Sequence, residues 1–249
     1  QHAFGLHNIQ AMAGMERTDA SYTAEQQLYN TPTNYIGSSA TAGTIDPTNS
    51  FVNKTASGTL SYFGRASYSY ADRYLLQFLF RTDASTKFAP QNYWGFFPGI
   101  SAGWVASEED FFKKAMPWFE YLKVRASWGR TGRDNIGEWE WRQAFDYNGS
   151  YGYEFGSAGG QLGYGYVMDK APNPNVHWDK DDKFNLGLDA RFLRNRLSAT
   201  IDFYYEKNSD ILNAATVNAA EIPFYVGGSM AESNYGKVAT WGNALSLHW

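Results

Sequence analysis

The sequence predicts an all-β fold, an antiparallel transmembrane β-barrel, from three observations. Apolar and polar residues alternate in repeated runs, the connections between runs are alternately short and long, and charges keep to one face of the alternation. The run from Leu60 to Phe80 shows this best. Leu60, Tyr62, Ala66, Tyr68 and Tyr70 fall on one face, and Ser61, Arg65, Ser67 and Ser69 on the other, with Phe63 the exception. After Ala71-Asp72-Arg73, residues Tyr74, Leu76, Phe78 and Phe80 alternate with Leu75, Gln77, Leu79 and Arg81. Successive strand side chains point to opposite sides, so this is a hairpin with one greasy and one wetter wall. Each run is close to the roughly 9–11 residues that a tilted strand needs to cross a bilayer. The greasy wall ends in aromatics near the turn, as interfacial girdles do.

The remaining elements follow in order. Ile9, Ala11, Ala13 and Met15 alternate with Asn8, Gln10, Met12 and Gly14 in a first strand, and residues 18–57 form a long polar connection. Beyond the hairpin, 82–96 is a loop, and Ile100, Ala102, Trp104 and Ala106 alternate with Ser101, Gly103 and Val105. Residues 107–114 read as a helical turn with Ser107 as its cap, acids first and lysines last, ended by Pro117. Leu122, Val124, Ala126 and Trp128 then oppose Lys123, Arg125 and Ser127. A loop rich in glycine and aromatics covers 129–182. Phe184, Leu186, Leu188, Ala190 and Phe192 next alternate with Asn185, Gly187, Asp189 and Arg191, and Arg194-Asn195-Arg196 turn the chain. Leu197, Ala199, Ile201, Phe203 and Tyr205 continue the pattern, 207–240 is a further long loop, and Ala244 to Trp249 begins a last strand.

Compact connections (71–73, 107–120, 194–196) thus alternate with long ones (18–57, 82–96, 129–182, 207–240). Barrels of outer membranes have this asymmetry, with short periplasmic turns and longer extracellular loops. Arg65, Arg81, Lys123, Arg125, Asp189, Arg191, Asp202 and Glu206 all lie opposite the apolar face and are expected to face the lumen. On the lipid side an Arg or Lys costs about 2–4 kcal/mol at the midplane.

Composition is compatible with this fold and excludes other classes. The 249 residues carry a formal net charge of −4, 18% aromatic content and no cysteine. No stretch approaches the roughly 20 apolar residues of a membrane-spanning helix. Without cysteine there is neither a disulfide nor a thiolate metal site, and the acidity without basic clusters argues against nucleic acid. The N-terminus, Gln1-His2-Ala3-Phe4, shows no signal peptide and no initiator methionine, so the chain is expected to be a mature protein or, preferably, a fragment.

Several blocks resemble one family. Tyr62-Phe63-Gly64-Arg65 through Asp72-Arg73-Tyr74-Leu75-Leu76 resembles a hairpin of SusC/RagA-like TonB-dependent outer-membrane transporters. Arg81-Thr82-Asp83 with Phe88 and Pro90, and Trp94-Gly95-Phe96-Phe97-Pro98 through Ser101-Ala102-Gly103-Trp104 and Ser107-Glu108-Glu109, resemble the elements that follow it. Leu122 to Gly129 with Thr131-Gly132, Asn173-Pro174 with Trp178, Asn185 to Asp189, and Asn195-Arg196-Leu197 with Asp202 to Tyr205 keep the family's order. The resemblance implies that the chain is part of a barrel of about 22 strands. It implies residues 1–249 as barrel, with the plug domain and TonB-interacting segment not present, in a bacterial outer membrane. It also implies a SusD-like surface lipoprotein as partner, the TonB system acting through the plug, and an oligosaccharide or peptide as cargo.

No enzyme chemistry is expected. Glu108-Glu109-Asp110 suit a helix N-terminus better than acid–base work. His2, His7, His177 and His248 lack metal-ligand spacing, and no cofactor is implied. Gly159 to Gly163 lacks the Lys-Ser/Thr ending of a phosphate loop. Asp179, Asp181 and Asp182 are interleaved with Lys180 and Lys183, a poor calcium site. The candidate ligand-binding residues are the loop aromatics Trp139, Trp141, Tyr147, Tyr151, Tyr153, Tyr164 and Tyr166, whose flat faces suit sugar rings or peptide side chains; packing among loops or against a partner is the other reading. A surface-attached or soluble all-β glycan-binding module remains the alternative, with a passive porin as a third. The Ala244–Trp249 stretch resembles an internal family strand; the alternative is a terminal aromatic insertion signal.

Overall fold

The computed structural model describes residues 2–30, 44–46, 50–155, 161–213, 229–230 and 232–249, with backbone alone at 146–155, 161–167, 169–170 and 229–230. The first strands are β1 (His2–Phe4), β2 (His7–Gln26), β3 (Tyr29–Asn30), β4 (Thr44–Ile45), β5 (Phe51–Tyr70), β6 (Tyr74–Ser85) and β7 (Trp94–Val105). A short helix, α1 (Asp110–Ala115), precedes β8 (Phe119–Thr131), β9 (Ala144–Phe155) and β10 (Gln161–Ala171). β11 (Lys180–Phe192), β12 (Leu197–Asn213), β13 (Ser229–Met230) and β14 (Ser233–His248) follow. Nine of these strands form one sheet in the order β1-β2-β5-β6-β7-β8-β11-β12-β14, with antiparallel neighbours throughout. This is an up-and-down meander.

The register sorts side chains into two walls. One transverse row of residues runs Ile9, Tyr68, Leu76, Ala102, Ala126, Leu186, Phe203. The row beside it on the other face runs Gln10, Ser67, Gln77, Ser101, Ser127, Asn185, Tyr204. On the apolar wall Met15, Leu76, Phe78, Ile100, Leu186, Phe203, Leu245 and Leu247 are exposed. So much contiguous apolar surface cannot stay in water.

Aromatics frame this apolar band at both ends. Tyr62 and Tyr70 bracket it on β5, Phe96 and Trp104 on β7, Phe184 and Phe192 on β11. Charges return to this wall beyond the upper frame, at Arg17, Arg130 and Asp182; Arg130 grips Asp182 through two bonds of 2.9 and 3.0 Å. The interval from Phe184 to Phe192 matches the roughly 9–11 residues of a tilted transmembrane strand.

The strand centres lie where the alternation puts them, and several boundaries differ. β2 continues to Gln26 and β5 starts at Phe51, so both flanks of the expected 18–57 connection, residues 18–26 and 51–57, are paired strand. β12 likewise runs to Asn213 and β14 starts at Ser233, which shortens 207–240 and lengthens the last strand. The expected 82–96 loop narrows to the residues between Ser85 and Trp94, and the 129–182 loop contains the β9–β10 pair, with β13 beside it. Past the membrane band both faces meet water, so ladder hydrogen bonds persist while the alternation that reports them fades.

The connection from β7 to β8 also differs from expectation. Ser107 is buried in a 3-10 turn and caps nothing; Glu109 occupies the N-cap position of α1. Its carboxylate is held from outside the helix by the Tyr74 hydroxyl at 2.6 Å and the Trp104 indole N–H at 3.3 Å. At the β11–β12 turn, Leu193, Arg194 and Asn195 all have left-handed φ values, 56°, 58° and 62°. A bulge between Arg191 and Phe192 lets Phe119 pair with Phe192 and turns Glu120 loose from the register. The Glu120 carboxylate accepts from the backbone N–H groups of Arg194 and Asn195, offsetting a conformation that L-residues disfavour.

Candidate functional site

The polar wall concentrates charge around Arg125. Its Nε donates to Asp189 at 3.1 Å and its Nη2 to Asp202 at 2.9 Å; Asn185 accepts at 3.4 Å and Thr200 donates to Asp189 at 3.2 Å. The guanidinium lies flat over Gly187, where an added Cβ would sit 2.4 Å from Cζ. A side chain there would displace the arginine from the path it takes from β8 to β12. Lys183 bridges Asp181 and Glu206, at 3.1 Å to each. Arg81 meets Asp83 at 2.7 Å, Glu16 at 3.3 Å and the Ser61 hydroxyl at 2.9 Å. Arg191 lies 5.1 Å from the centre of the Tyr121 ring.

Arg65 and Lys123 have no ion-pair partner among the described residues. Lys123 and Arg125 border a groove of about 450 Å³ whose floor carries Gln10, Ser67, Gln77, Ser101 and Ser127. Amides and hydroxyls with a cationic rim can hydrogen-bond neutral polar groups and hold carboxylates. All eight charges expected on the inner wall share this face. Arg125 brings Asp189 and Asp202 together, Arg81 and Glu206 are ion-paired elsewhere on the wall, Arg191 lies over the Tyr121 ring, and Arg65 and Lys123 have no ion pair among the described residues.

The loop aromatics divide by what is described. Trp139, with φ 66°, and Trp141 stand with ring centres 6.3 Å apart, and Arg142 lies 5.3 Å from each ring. This Trp–Arg–Trp cluster offers two π faces and a cation. Arg142 is absent from the sequence-derived site; its lone charge in an irregular segment carries no periodic signal. Tyr147 and Tyr166 are paired in register across β9 and β10, and Tyr153 pairs with Gly163. The side chains of Tyr147, Tyr151, Tyr153, Tyr164 and Tyr166 lie outside the described residues.

A small core ties the long connections together. Phe88, Phe97, Ile136, Val176 and Trp178 are mutually packed and buried. The Trp178 indole donates to the Tyr93 carbonyl at 3.0 Å, and the Asn92 amide donates to the carbonyls of Pro174 and Val176 at 3.2 and 3.0 Å. The buried Ser85 hydroxyl donates to Asp134 at 2.8 Å. Asp179 accepts from Arg133 Nε at 3.0 Å and from its backbone N–H at 2.6 Å, so the aspartates of 179–182 are taken by basic partners. Among the described residues no group of His, Asp and Glu could hold a metal. Of the glycine run, Gly159 and Gly160 lie outside the described residues, while 161–163 belong to β10. Glu109 has its acidity raised by the Tyr74 hydroxyl and then by the Trp104 indole, both of which favour the anion.

Comparison with known proteins agrees with the geometry. The family described as TonB dependent receptor-like, beta-barrel matches residues 1–249. The TonB-dependent receptor SusC of Bacteroides thetaiotaomicron is 38% identical over 165 residues, covering 66% of this chain and 16% of that protein. TonB-dependent receptor P3 of Formosa agariphila is 28% identical over 250 residues, covering 99% of this chain and 24% of that protein. In solved structures, the RagAB peptide transporter superimposes with a TM-score of 0.74 at 24% identity, over 97% of this chain and 25% of that one. The chain therefore spans about a quarter or less of the relatives it matches. These relatives are receptors and transporters, not enzymes. With alternating strands, a framed apolar band and a charged opposite wall, the chain belongs to the TonB-dependent receptor-like β-barrel family and forms barrel wall in the bacterial outer membrane.

Proposed function

We propose that this wall belongs to a transporter that carries oligosaccharides or peptides across the outer membrane, energised through TonB and capped by a SusD-like surface lipoprotein. The observation that supports this most is the segregation of charge. Arg65, Arg81, Lys123, Arg125, Asp189, Arg191, Asp202 and Glu206 share one wall, while the apolar band opposite carries none between its aromatic frames. The charged wall is the lumen, wet or packed against a polar plug, and the remaining strands and the plug belong to the rest of the parent protein. Trp139 and Trp141, with Arg142 between them, line the ligand route at the long-connection end, and the tyrosines of β9 and β10 extend it.

The test uses the intact receptor purified from outer membranes with whatever lipoprotein accompanies it. Binding is measured by calorimetry against panels of oligosaccharides and of peptides, beside uptake by cells with and without TonB. TonB-dependent uptake of a member of one panel, weakened at least tenfold by Trp139→Ala with Trp141→Ala, is expected. Uptake indifferent to TonB would leave a passive pore, and unchanged binding in the double variant would remove the two tryptophans from the route.

A further inference from the structure

We propose that residues 106–118, centred on α1, form an interfacial anchor seated on the phospholipid headgroup boundary at the short-turn end of the wall. The placement follows from the partners of Glu109. Tyr74 and Trp104 are paired across β6 and β7 and belong to the apolar wall, and both donate their polar tips to this one carboxylate. Arg73 adds an ion pair at 3.6 Å. The segment is thereby drawn over the apolar side of the barrel and away from its lumen.

Ring contacts repeat the message. Phe111 lies 6.4 Å from Trp104, Phe112 meets Phe119 edge-on at 5.8 Å, and Trp118 stacks on Phe192 at 6.0 Å. Their outer surfaces remain uncovered, with Phe111 63% and Trp118 61% exposed and Met116 and Leu193 exposed beside them. This patch continues the lipid-facing band without a break, so the occupant that covers the band also covers the patch. Trp and Phe beside lysines is the composition that settles at headgroup depth, the rings in the acyl boundary and the ammonium groups reaching the phosphates. Lys113 and Lys114 occupy the last turn of α1; Lys113 is paired with Glu108 at 2.9 Å, and Lys114 is the ammonium without an ion pair among the described residues.

The inference rests on the wall facing lipid, and the test separates the two. The intact receptor, with any cysteine outside this chain replaced by serine, is spin-labelled at Phe111→Cys or Trp118→Cys in nanodiscs of phosphatidylethanolamine and phosphatidylglycerol. Phe78→Cys serves as the mid-wall reference and Asp72→Cys as the aqueous one. Accessibility to oxygen relative to a water-soluble nickel chelate should place 111 and 118 between the references. Values equal to those at 72, or shielding from both relaxants as under a protein partner, would overturn the anchor. If the label at 78 also reads as aqueous, the lipid-facing wall falls with it. Should substitution of Trp118 prevent assembly, Met116→Cys gives the same reading at a milder site.

Discussion

The two ends of this wall solve the same problem in opposite ways. At the long-connection end, segments around Phe88, Ile136 and Val176 fold over Phe97 and Trp178 and cover one another, with Asn92 and Trp178 satisfying backbone carbonyls. At the short-turn end Phe111 meets Trp104 and Trp118 stacks on Phe192, but Phe111 and Trp118 stay uncovered, and two carboxylates, Glu109 and Glu120, set the chain path. One end carries its own core; the other depends on its surroundings. Stability should therefore be insensitive to the medium at the first end and sensitive at the second.

The largest expected effect tests the self-covered end. Trp178→Ala removes the centre of the buried cluster and should cost about 3–5 kcal/mol, read as a lowered urea midpoint for the intact receptor, equally in detergent and in bilayers. Trp118→Ala should change the midpoint in bilayers and leave it nearly unmoved in detergent. Between the ends, Leu186→Arg puts a cation in the lipid band and should cost about 2–4 kcal/mol, whereas Ser127→Arg on the opposite wall should be near neutral in the same assay. Arg125→Met strands Asp189 and Asp202 in a partly exposed site and should cost only about 1 kcal/mol. A larger loss would mean that the polar wall is packed dry.

The smallest effect is a pH dependence at the short-turn end. Because the folded state holds Glu109 below the ordinary glutamate value of about 4.3, its stabilisation is complete above that value and is lost as pH falls through the lower folded one. Amide exchange across residues 106–118 should rise only in that acid window. Glu109→Gln should flatten the response, and an unchanged profile in that variant would show that other acids govern it.

What the sequence made legible was the part of the molecule that feels two solvents at once. Between Tyr62 and Tyr70 each side chain faces either lipid or the polar wall, so the pattern is forced. From Thr18 to Gln26 the same ladder runs on through water, Asp19, Ser21 and Glu25 fall on one face with Tyr22 and Ala24 on the other, and no rule of alternation reports it. The loop core was illegible for a related reason: Phe88, Ile136 and Val176 come from separate irregular segments and meet only in three dimensions. Of the candidate site, the charged face could be read from parity alone. Arg142 could not, since its place between two indoles depends on the left-handed backbone at Trp139.

The bond from Glu120 to the turn after β11 has a consequence for the order of assembly. Three successive left-handed residues without glycine make a poor seed for the β11–β12 hairpin, whose bend in isolation is held by one backbone bond, from the Arg196 N–H to the Leu193 carbonyl at 3.3 Å. The missing acceptor sits on β8, which reaches the turn only when β11 is docked beside it in the correct register, bulge included. A hairpin slipped by one residue would leave the carboxylate out of reach and the bend unsupported. The turn thus works as a checkpoint, in which each new pair of strands closes firmly only once the preceding strand has been laid down in place.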